Sequence, residues 1–407
     1  MNDIGPKRPF YRSVTVQTLI AISFNSMSIL AGGLISLFAP QFEAAPWILA
    51  LFPPILTIRG GIGGVFSGNL ATMLHLGLIR PQVRDNTPVF RQLIGSIFVI
   101  TLVDTLTMGF FSFVLNLATG NVSLSHAFIF AVVPPVACAM ALAVSIPLTI
   151  LIAIATFRRG LDPDILVYPI LASVNDIIVT ATFVVTVLLV LVGGFSHLAL
   201  WGFFLLIVAS TAAIAWSYRH VEFFFKTIRE GATIVIMSSL FGSVNGVFLA
   251  GLRGSLLRYP GVLTVYPALT NALGNIGSII GSTSTTSLAL GYGRGFAEEV
   301  KGSASTILQV ESVAFFMHAV FGVIAYLLVR ATQSGADLLS LVGVALISNA
   351  VSFLPITLVA LVVAHQAFKR GLNPDNVAIP VITSISDTVA TLTLIIAIYA
   401  LSLLGII

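Results

Sequence analysis

The sequence has very few charged residues and a single cysteine. Charged side chains make up 8% of the 407 residues, whereas a soluble globular domain carries roughly 25%. With Cys138 as its one cysteine, the chain forms no internal disulfide. Hydrophobic residues make up 57% of the chain and no soluble segment reaches domain size, so we expect a polytopic membrane protein in contact with the lipid bilayer.

Motifs typical of several other functions are missing as well. The six histidines lack the spacing of zinc ligands, and there is no glycine-rich phosphate loop followed by Lys-Ser/Thr. The net charge of +4 comes mostly from loop lysines and arginines, so no nucleic-acid partner is indicated. The first residues lack the apolar core and cleavage site of a signal peptide, and we expect the first span to remain as an anchor. We do not expect an enzyme.

Apolar runs long enough to cross a bilayer occur eleven times, so the predicted fold class is all-α. A transmembrane helix needs about 20 mostly apolar residues. The runs cover roughly residues 14–38, 46–76, 92–117, 124–157, 164–192, 197–217, 227–252, 259–289, 304–329, 336–368 and 375–403. Prolines lie inside several long runs, where we expect kinks, tilts or broken helices.

Lysine and arginine in the loops predict the orientation. If the N-terminus is inside, the inner tail and loops carry 15 of the 19 basic residues and the outer loops carry 3. Cytoplasmic loops are the ones enriched in these residues. We therefore expect a multi-pass protein of the cell membrane with a cytoplasmic N-terminus and, after an odd number of spans, an extracytoplasmic C-terminus.

A short motif that occurs twice indicates an internal duplication. Residues 158–176 read RRGLDPDILVYPILASVND, and residues 369–387 read KRGLNPDNVAIPVITSISD. Residues 51–77 align without gaps with residues 265–291 at a shift of 214, and the shift has become 211 at the second motif. The duplication covers nearly the whole chain.

The duplication predicts two five-span repeats joined by one extra span. We divide the chain into a cytosolic tail (1–13), repeat 1 (14–192), a linking span and loop (193–226) and repeat 2 (227–407). Because five spans are an odd number, direct fusion would invert the second repeat, and the linking span restores its orientation. The repeats should therefore be parallel, related by a pseudo-two-fold axis along the membrane normal.

Each copy of the motif ends in an aspartate that lies inside a span. Asp176 and Asp387 come twelve residues after Asp164 and Asp375, at the predicted cytoplasmic ends of their spans. Twelve helical residues rise about 18 Å, close to the middle of a hydrocarbon core about 30 Å thick. Two facing carboxylates without a counter-charge would disfavour each other's ionisation, and a divalent cation between them removes that penalty. The alternative for either residue alone is a helix–helix hydrogen bond.

The second and eighth spans are rich in glycine. Gly60 begins a series of glycines at every fourth residue, and Gly274 is its counterpart in the second repeat. One interpretation is close helix packing by small residues. The other is an ion path lined by backbone carbonyls, to which Asn275 adds a side-chain oxygen where the first repeat has Gly61.

Two further acids, Asp104 and Glu311, lie in the third and ninth spans. They do not align at the shift of 211–214, so the duplication does not support them as a pair. They are candidates for binding a coupling ion or proton. Pairing with Arg59 or His318 is the other interpretation.

At these motifs the sequence resembles the MgtE and solute-carrier-41 group of magnesium transporters. The matching residues are Phe42-Glu43, the glycine-rich spans ending in LHLG or LALG, Gly274-Asn275-Ile276-Gly277, and the motif ends SVND and SISD. The resemblance covers about residues 14–192 and 227–403. It implies Mg²⁺ as the transported ion, and a fused, pseudo-dimeric chain in place of a dimer of five-span units.

The resemblance also implies roles for single residues. In the bacterial relatives the intramembrane Asp of the last span binds a largely hydrated magnesium ion. The residues implied for the metal here are Asp176, Asp387, Asn275 and, through backbone carbonyls, Ala172 and Thr383; the neighbouring Ser173 and Ser384 are pathway candidates. The regulatory cytosolic domains of bacterial MgtE have no counterpart in this sequence. The fused form resembles the solute-carrier-41 type, some of which exchange magnesium for sodium, so Na⁺ is a candidate coupling ion.

Two other functions remain open at this point. A sodium- or proton-coupled carrier of another solute would use the same acids as coupling sites. Two intramembrane aspartates could also form the dyad of an intramembrane aspartic protease. The Gly-x-Gly-Asp context expected of such proteases is missing at both aspartates.

Overall fold

The computed structural model describes residues 14–158, 163–289, 296–332, 337–370 and 374–407, and in these ranges the regular structure is helical. The N-terminal tail and the basic turns at 159–162 and 371–373 lie outside the described residues. The helices are α1 (Val14–Ser23), α2 (Ser28–Ser36), α3 (Trp47–His75), α4 (Pro88–Ala118), α5 (Ala127–Arg158), α6 (Pro163–Val192), α7 (Phe195–Ser217), α8 (Glu222–Gly251), α9 (Arg253–Arg258), α10 (Gly261–Ala289), α11 (Phe296–Thr332), α12 (Leu338–Lys369) and α13 (Pro374–Leu403).

All eleven predicted spans form long helical segments, which confirms the all-α membrane fold. Ten of these segments, as far as the structure describes them, are long and apolar enough to cross a membrane, with α1 and α2 counted as one segment. The eleventh is α10, which is 29 residues long but carries hydroxyl and amide side chains along its length. Much of α10 is buried inside the bundle, so its polar groups face protein rather than lipid.

The helix break falls where proline is absent. The long helices α3, α5, α10 and α12 continue through their internal prolines, so of the predicted kinks, tilts or breaks the breaks do not occur, and the kinks and tilts stay predictions. One reason is visible at Pro54, which cannot donate to the Ala50 carbonyl. The Ser112 hydroxyl donates to that carbonyl instead, at 3.1 Å. A neighbouring helix thus satisfies the freed backbone group, as is usual within membranes.

The first span is the one that is interrupted. A 3₁₀ turn, Phe24–Met27, separates α1 from α2. Asn25 in this turn is 1% exposed, and its side-chain oxygen accepts a hydrogen bond from Asn275 Nδ2 at 3.3 Å. Short polar side chains compete with helical hydrogen bonding, which explains a change of helix type at this point.

The first span of each predicted repeat packs on the other repeat. Helix α8 packs on α3 and α4, and it also contacts α13 of its own repeat. In the same way, α2 packs on α10 and α6, while α1 packs on α11. Because the first spans are exchanged, the two halves interlock and share one continuous core.

Two glycines mark where the exchanged spans touch the other half. A Cβ atom at Gly32 would collide with the carbonyl oxygen of Thr264, and one at Gly246 would collide with that of Ala50. Both glycines and both carbonyl residues are related by a shift of 214 in the sequence. Contacts that recur at equivalent positions are what a pseudo-two-fold relation predicts. The placement of that axis along a membrane normal, and the domain boundaries, stay predictions.

Candidate cation site between the two halves

Asp176 lies inside the bundle with three partners. The carboxylate is on α6 and is 1% exposed. Arg59 of α3 forms an ion pair with its Oδ1 atom. The Ser28 hydroxyl donates to Oδ2 at 2.7 Å, and Asn271 Nδ2 donates to the same oxygen. Three elements from both halves of the chain therefore hold this carboxylate.

Asp387 has fewer partners and is more open. It is half-buried on α13, and the Thr57 hydroxyl of α3 donates to its Oδ2 atom at 3.1 Å. Thr57 and Arg59 are two residues apart on α3, and they contact Asp387 and Asp176 respectively. The two carboxylates thus lie in one region of the bundle, and Asp387 is the more accessible of them.

The hydrogen bonds to the two aspartates follow the duplication. Thr57 and Asn271 are equivalent at the shift of 214, and each donates to the aspartate of the opposite repeat. Each second span therefore supports the carboxylate on the last span of the other repeat. These two residues are not among the predicted site residues, although polar side chains at matched positions of two apolar spans are a signal that the sequence contains.

Arg59 changes the electrostatics expected from the sequence. We expected two carboxylates without a counter-charge, but the guanidinium gives Asp176 a direct one. The suggestion that Arg59 pairs with Asp104 or Glu311 is wrong, because its ion pair is with Asp176. A buried ion pair of this kind removes much of the penalty of placing a lone carboxylate in the bundle.

The other residues implied for the metal have different environments. Asn275 is half-buried and donates to Asn25 at 3.3 Å and to the Ala21 carbonyl at 3.5 Å, so its contacts are with the first span. Ala172 and Thr383 are half-buried one turn before the two aspartates. Whether their carbonyls meet an ion stays a prediction.

The two serines of the motif have different environments. Ser173 is fully buried, and its hydroxyl has no partner in the described structure. Ser384 is buried as well and shares a hydrogen bond of 2.9 Å with Ser238 of α8. The matched positions are therefore not chemically equal.

The glycines of the second and eighth spans divide between the two interpretations. A Cβ atom at Gly60 would meet nothing within 4 Å, so close packing does not explain that glycine. At Gly61 the nearest atom would be Val235 Cγ1 at 3.4 Å, and at Gly274 it would be Thr383 Cγ2 at 3.6 Å, both ordinary contacts. Gly277 is a true packing position, because a Cβ atom would approach Ile382 within 2.5 Å.

Asp104 and Glu311 each bond to a neighbouring helix. Asp104 on α4 is fully buried and accepts a hydrogen bond from the Ser239 hydroxyl of α8. Glu311 on α11 accepts from Asn349 Nδ2 of α12 at 2.9 Å. Both sets of contacts are separate from those that hold Asp176 and Asp387. Binding of a coupling ion or proton by either acid stays a prediction.

A cavity adjoins the ion pair on the side of the first half. It has a volume of about 40 Å³ and lies between α3, α4, α5 and α6. Arg59, Asn175, Ser145 and Thr149 are among the side chains that line it. Polar groups therefore have space around them next to Asp176.

No conventional metal cluster is found in the part of the chain that the structure describes. There is no group of three or more His, Cys, Asp and Glu side chains that could hold a metal ion. A cation at the aspartates would have two carboxylates with hydroxyl, amide or carbonyl oxygens, and it would keep water ligands. Hard divalent cations such as Mg²⁺ accept such a shell.

The fold and these carboxylates define a class of protein: a multi-pass helical membrane protein with ionisable groups buried inside its bundle. Such groups mark transport pathways in membrane proteins. Comparison with known families agrees, since the model of the MgtE family, described as "Divalent cation transporter", matches residues 52–186 and 266–397. The chain belongs to the MgtE family. This is a family of transporters and not of enzymes.

The two matches to the family model support the duplication. Their starts are 214 residues apart and their ends 211 residues apart, the same shifts that the sequence itself shows. The extra span and the first spans lie outside both matches. The family model thus covers the helices that carry Asp176 and Asp387.

Curated relatives are similar over nearly the whole chain. The chain is 23% identical to solute carrier family 41 member 3 of Rattus norvegicus over 410 residues, covering 93% of this chain and 85% of the relative. The same protein of Mus musculus is 23% identical, with 89% and 77% covered. Member 2 from Xenopus laevis is also 23% identical, with 89% and 67% covered. No solved structure matches the chain significantly.

Proposed function

We propose that the protein carries Mg²⁺ across a membrane through a site that Asp176 and Asp387 form together. The observation that carries the proposal is the pair of carboxylates, one from each copy of the motif, held in one region of the bundle by equivalent donors. Membership of a divalent cation transporter family supports the same substrate class.

The chemistry of the surrounding groups favours magnesium among divalent cations. The side chains near the pair offer carboxylate, hydroxyl and amide oxygens, with Asn271, Thr57 and Ser28 as the described neighbours. Nitrogen and sulfur ligands, which transition metals favour, are missing from this described set. We infer that the ion keeps several waters and is held by charge more than by a complete protein shell.

The pathway follows from the same arrangement. The ion passes between the second and last spans of both repeats, beside Gly60, Gly61 and Gly274, of which Gly60 has open space next to it. Ala172 and Thr383, whose backbone carbonyls are the proposed ligands, come one helical turn before the two aspartates, and Asn275 comes one turn after Asn271, which donates to Asp176. We further propose that the N-terminus and the motif turns face the cytoplasm, which the excess of basic residues in these segments supports.

Uptake into liposomes tests the proposal. Wild-type protein reconstituted with an internal magnesium-sensitive dye is expected to give saturable Mg²⁺ uptake above that of protein-free liposomes. A second arm adds or omits a sodium gradient, and acceleration by sodium would identify an exchanger. Uptake equal to that of protein-free liposomes, with protein that is monodisperse and reconstituted, would contradict the proposed function.

A further inference from the structure

Arg59 has no chemical counterpart in the other half of the molecule. The position equivalent to it at the shift of 214 is Leu273, which is fully buried. Packing at this position is therefore compatible with an uncharged side chain. Arg59, whose side chain is 11% exposed, instead places a positive charge beside one of the two aspartates.

This positive charge weakens the attraction that the two aspartates exert on a cation. The guanidinium forms an ion pair with Asp176, so it neutralises one of the two negative charges. A monovalent cation that replaced it at Asp176 would exchange one positive charge for another. A divalent cation would double the attraction to the same carboxylates.

We propose that Arg59 is a built-in counter-cation that makes the site selective for divalent over monovalent cations, because only a doubly charged ion displaces the guanidinium from Asp176. The inference rests on the proposed function of the carboxylate pair. Arg59 is in this view a residue that determines specificity, and it does not bind the ion itself.

The cavity next to Asp176 is where we expect the displaced guanidinium to move. Arg59 already lines it, together with Asn175. The Asn175 Oδ1 atom is buried and has no hydrogen-bond partner in the described structure, so it is a free acceptor in the same cavity. Arg59 Nε is likewise a donor without a partner. A guanidinium that leaves Asp176 therefore has another acceptor in the cavity that both side chains line.

Two substitutions separate the charge of Arg59 from its packing. Arg59→Leu copies Leu273, and Arg59→Lys keeps the positive charge. In liposomes, Arg59→Leu is expected to lower the Mg²⁺ concentration for half-maximal uptake by about tenfold. It is also expected to open a K⁺ flux, measured without Mg²⁺, that wild type lacks. Arg59→Lys is expected to keep the wild-type discrimination.

The outcomes distinguish this inference from the proposed function. Wild-type protein without Mg²⁺ uptake would overturn the proposed function itself. Normal Mg²⁺ uptake by wild type, with unchanged half-saturation and no K⁺ flux in Arg59→Leu, would overturn only the role of Arg59. Loss of Mg²⁺ uptake in a monodisperse Arg59→Leu variant would do the same. If Arg59→Leu does not fold, Arg59→Gln carries the same expectations, because it retains a donor and removes the charge.

Discussion

Replacing Asp387 with asparagine is expected to abolish Mg²⁺ uptake while leaving the protein folded. Asparagine keeps the shape of the side chain, and its Oδ1 atom can still accept a hydrogen bond from the Thr57 hydroxyl. In the wild-type protein this hydroxyl donates to the Asp387 carboxylate at 3.1 Å. What is lost is one of the two negative charges that attract the ion. One charge pair at close contact contributes about 4 kcal/mol at an effective dielectric constant near 20, so uptake should fall on the order of 100-fold or more.

Asp104→Asn is the matched control for Asp387→Asn. Asp104 is also an aspartate within a span and also accepts from a hydroxyl, that of Ser239, but its contacts are separate from the pair. Because Asp104 is a candidate only for a coupling ion or proton, we expect this variant to retain most of the wild-type Mg²⁺ uptake when no sodium or proton gradient is applied. Wild-type uptake by Asp387→Asn, or equal loss in both variants, would contradict the assignment of the ion site.

Asp176→Asn is expected to destabilise the protein as well as inactivate it. The change removes the partner of Arg59, whose side chain is only 11% exposed. Removing one member of a buried ion pair leaves an uncompensated charge, which costs roughly 3–5 kcal/mol. A clear fall in the melting temperature in detergent should follow, and Asp387→Asn should show little of it.

A second substitution should restore the stability lost in Asp176→Asn. Combining it with Arg59→Leu removes both charges and leaves an amide beside a leucine. The position equivalent to Arg59 in the other half is already a leucine, Leu273. Replacing a whole buried ion pair by neutral groups is often neutral or stabilising. The double variant should therefore melt near the wild-type temperature and remain inactive in uptake. An unchanged melting temperature in Asp176→Asn alone would contradict the ion pair.

The sequence indicated the two candidate aspartates but not the side chains that hydrogen-bond to them. The duplicated motif drew attention to Asp176 and Asp387. The shift of 214 also shows that Thr57 and Asn271 occupy equivalent positions in the two repeats. Periodicity and composition describe which residues are apolar, however, and not which helices are neighbours. The hydrogen bonds across the repeats therefore required the three-dimensional arrangement.

Two features of the fold were beyond sequence reasoning for physical reasons. The first spans exchange between the halves, which depends on contacts such as that between Gly246 and the Ala50 carbonyl, far apart in the chain. The proline positions predicted helix breaks, yet a hydroxyl on another helix satisfies the carbonyl that Pro54 leaves free. The sequence shows Arg59 as a charge within a span, but which carboxylate it pairs with depends on how the helices pack.

A structure determined with Mn²⁺, which prefers the same oxygen ligands as Mg²⁺ and gives an anomalous signal, tests the central claim most directly. We expect an anomalous peak between the carboxylates of Asp176 and Asp387, with the Arg59 guanidinium turned away from Asp176. A peak at another place in the bundle, or the Arg59–Asp176 ion pair intact under saturating Mn²⁺, would contradict the account.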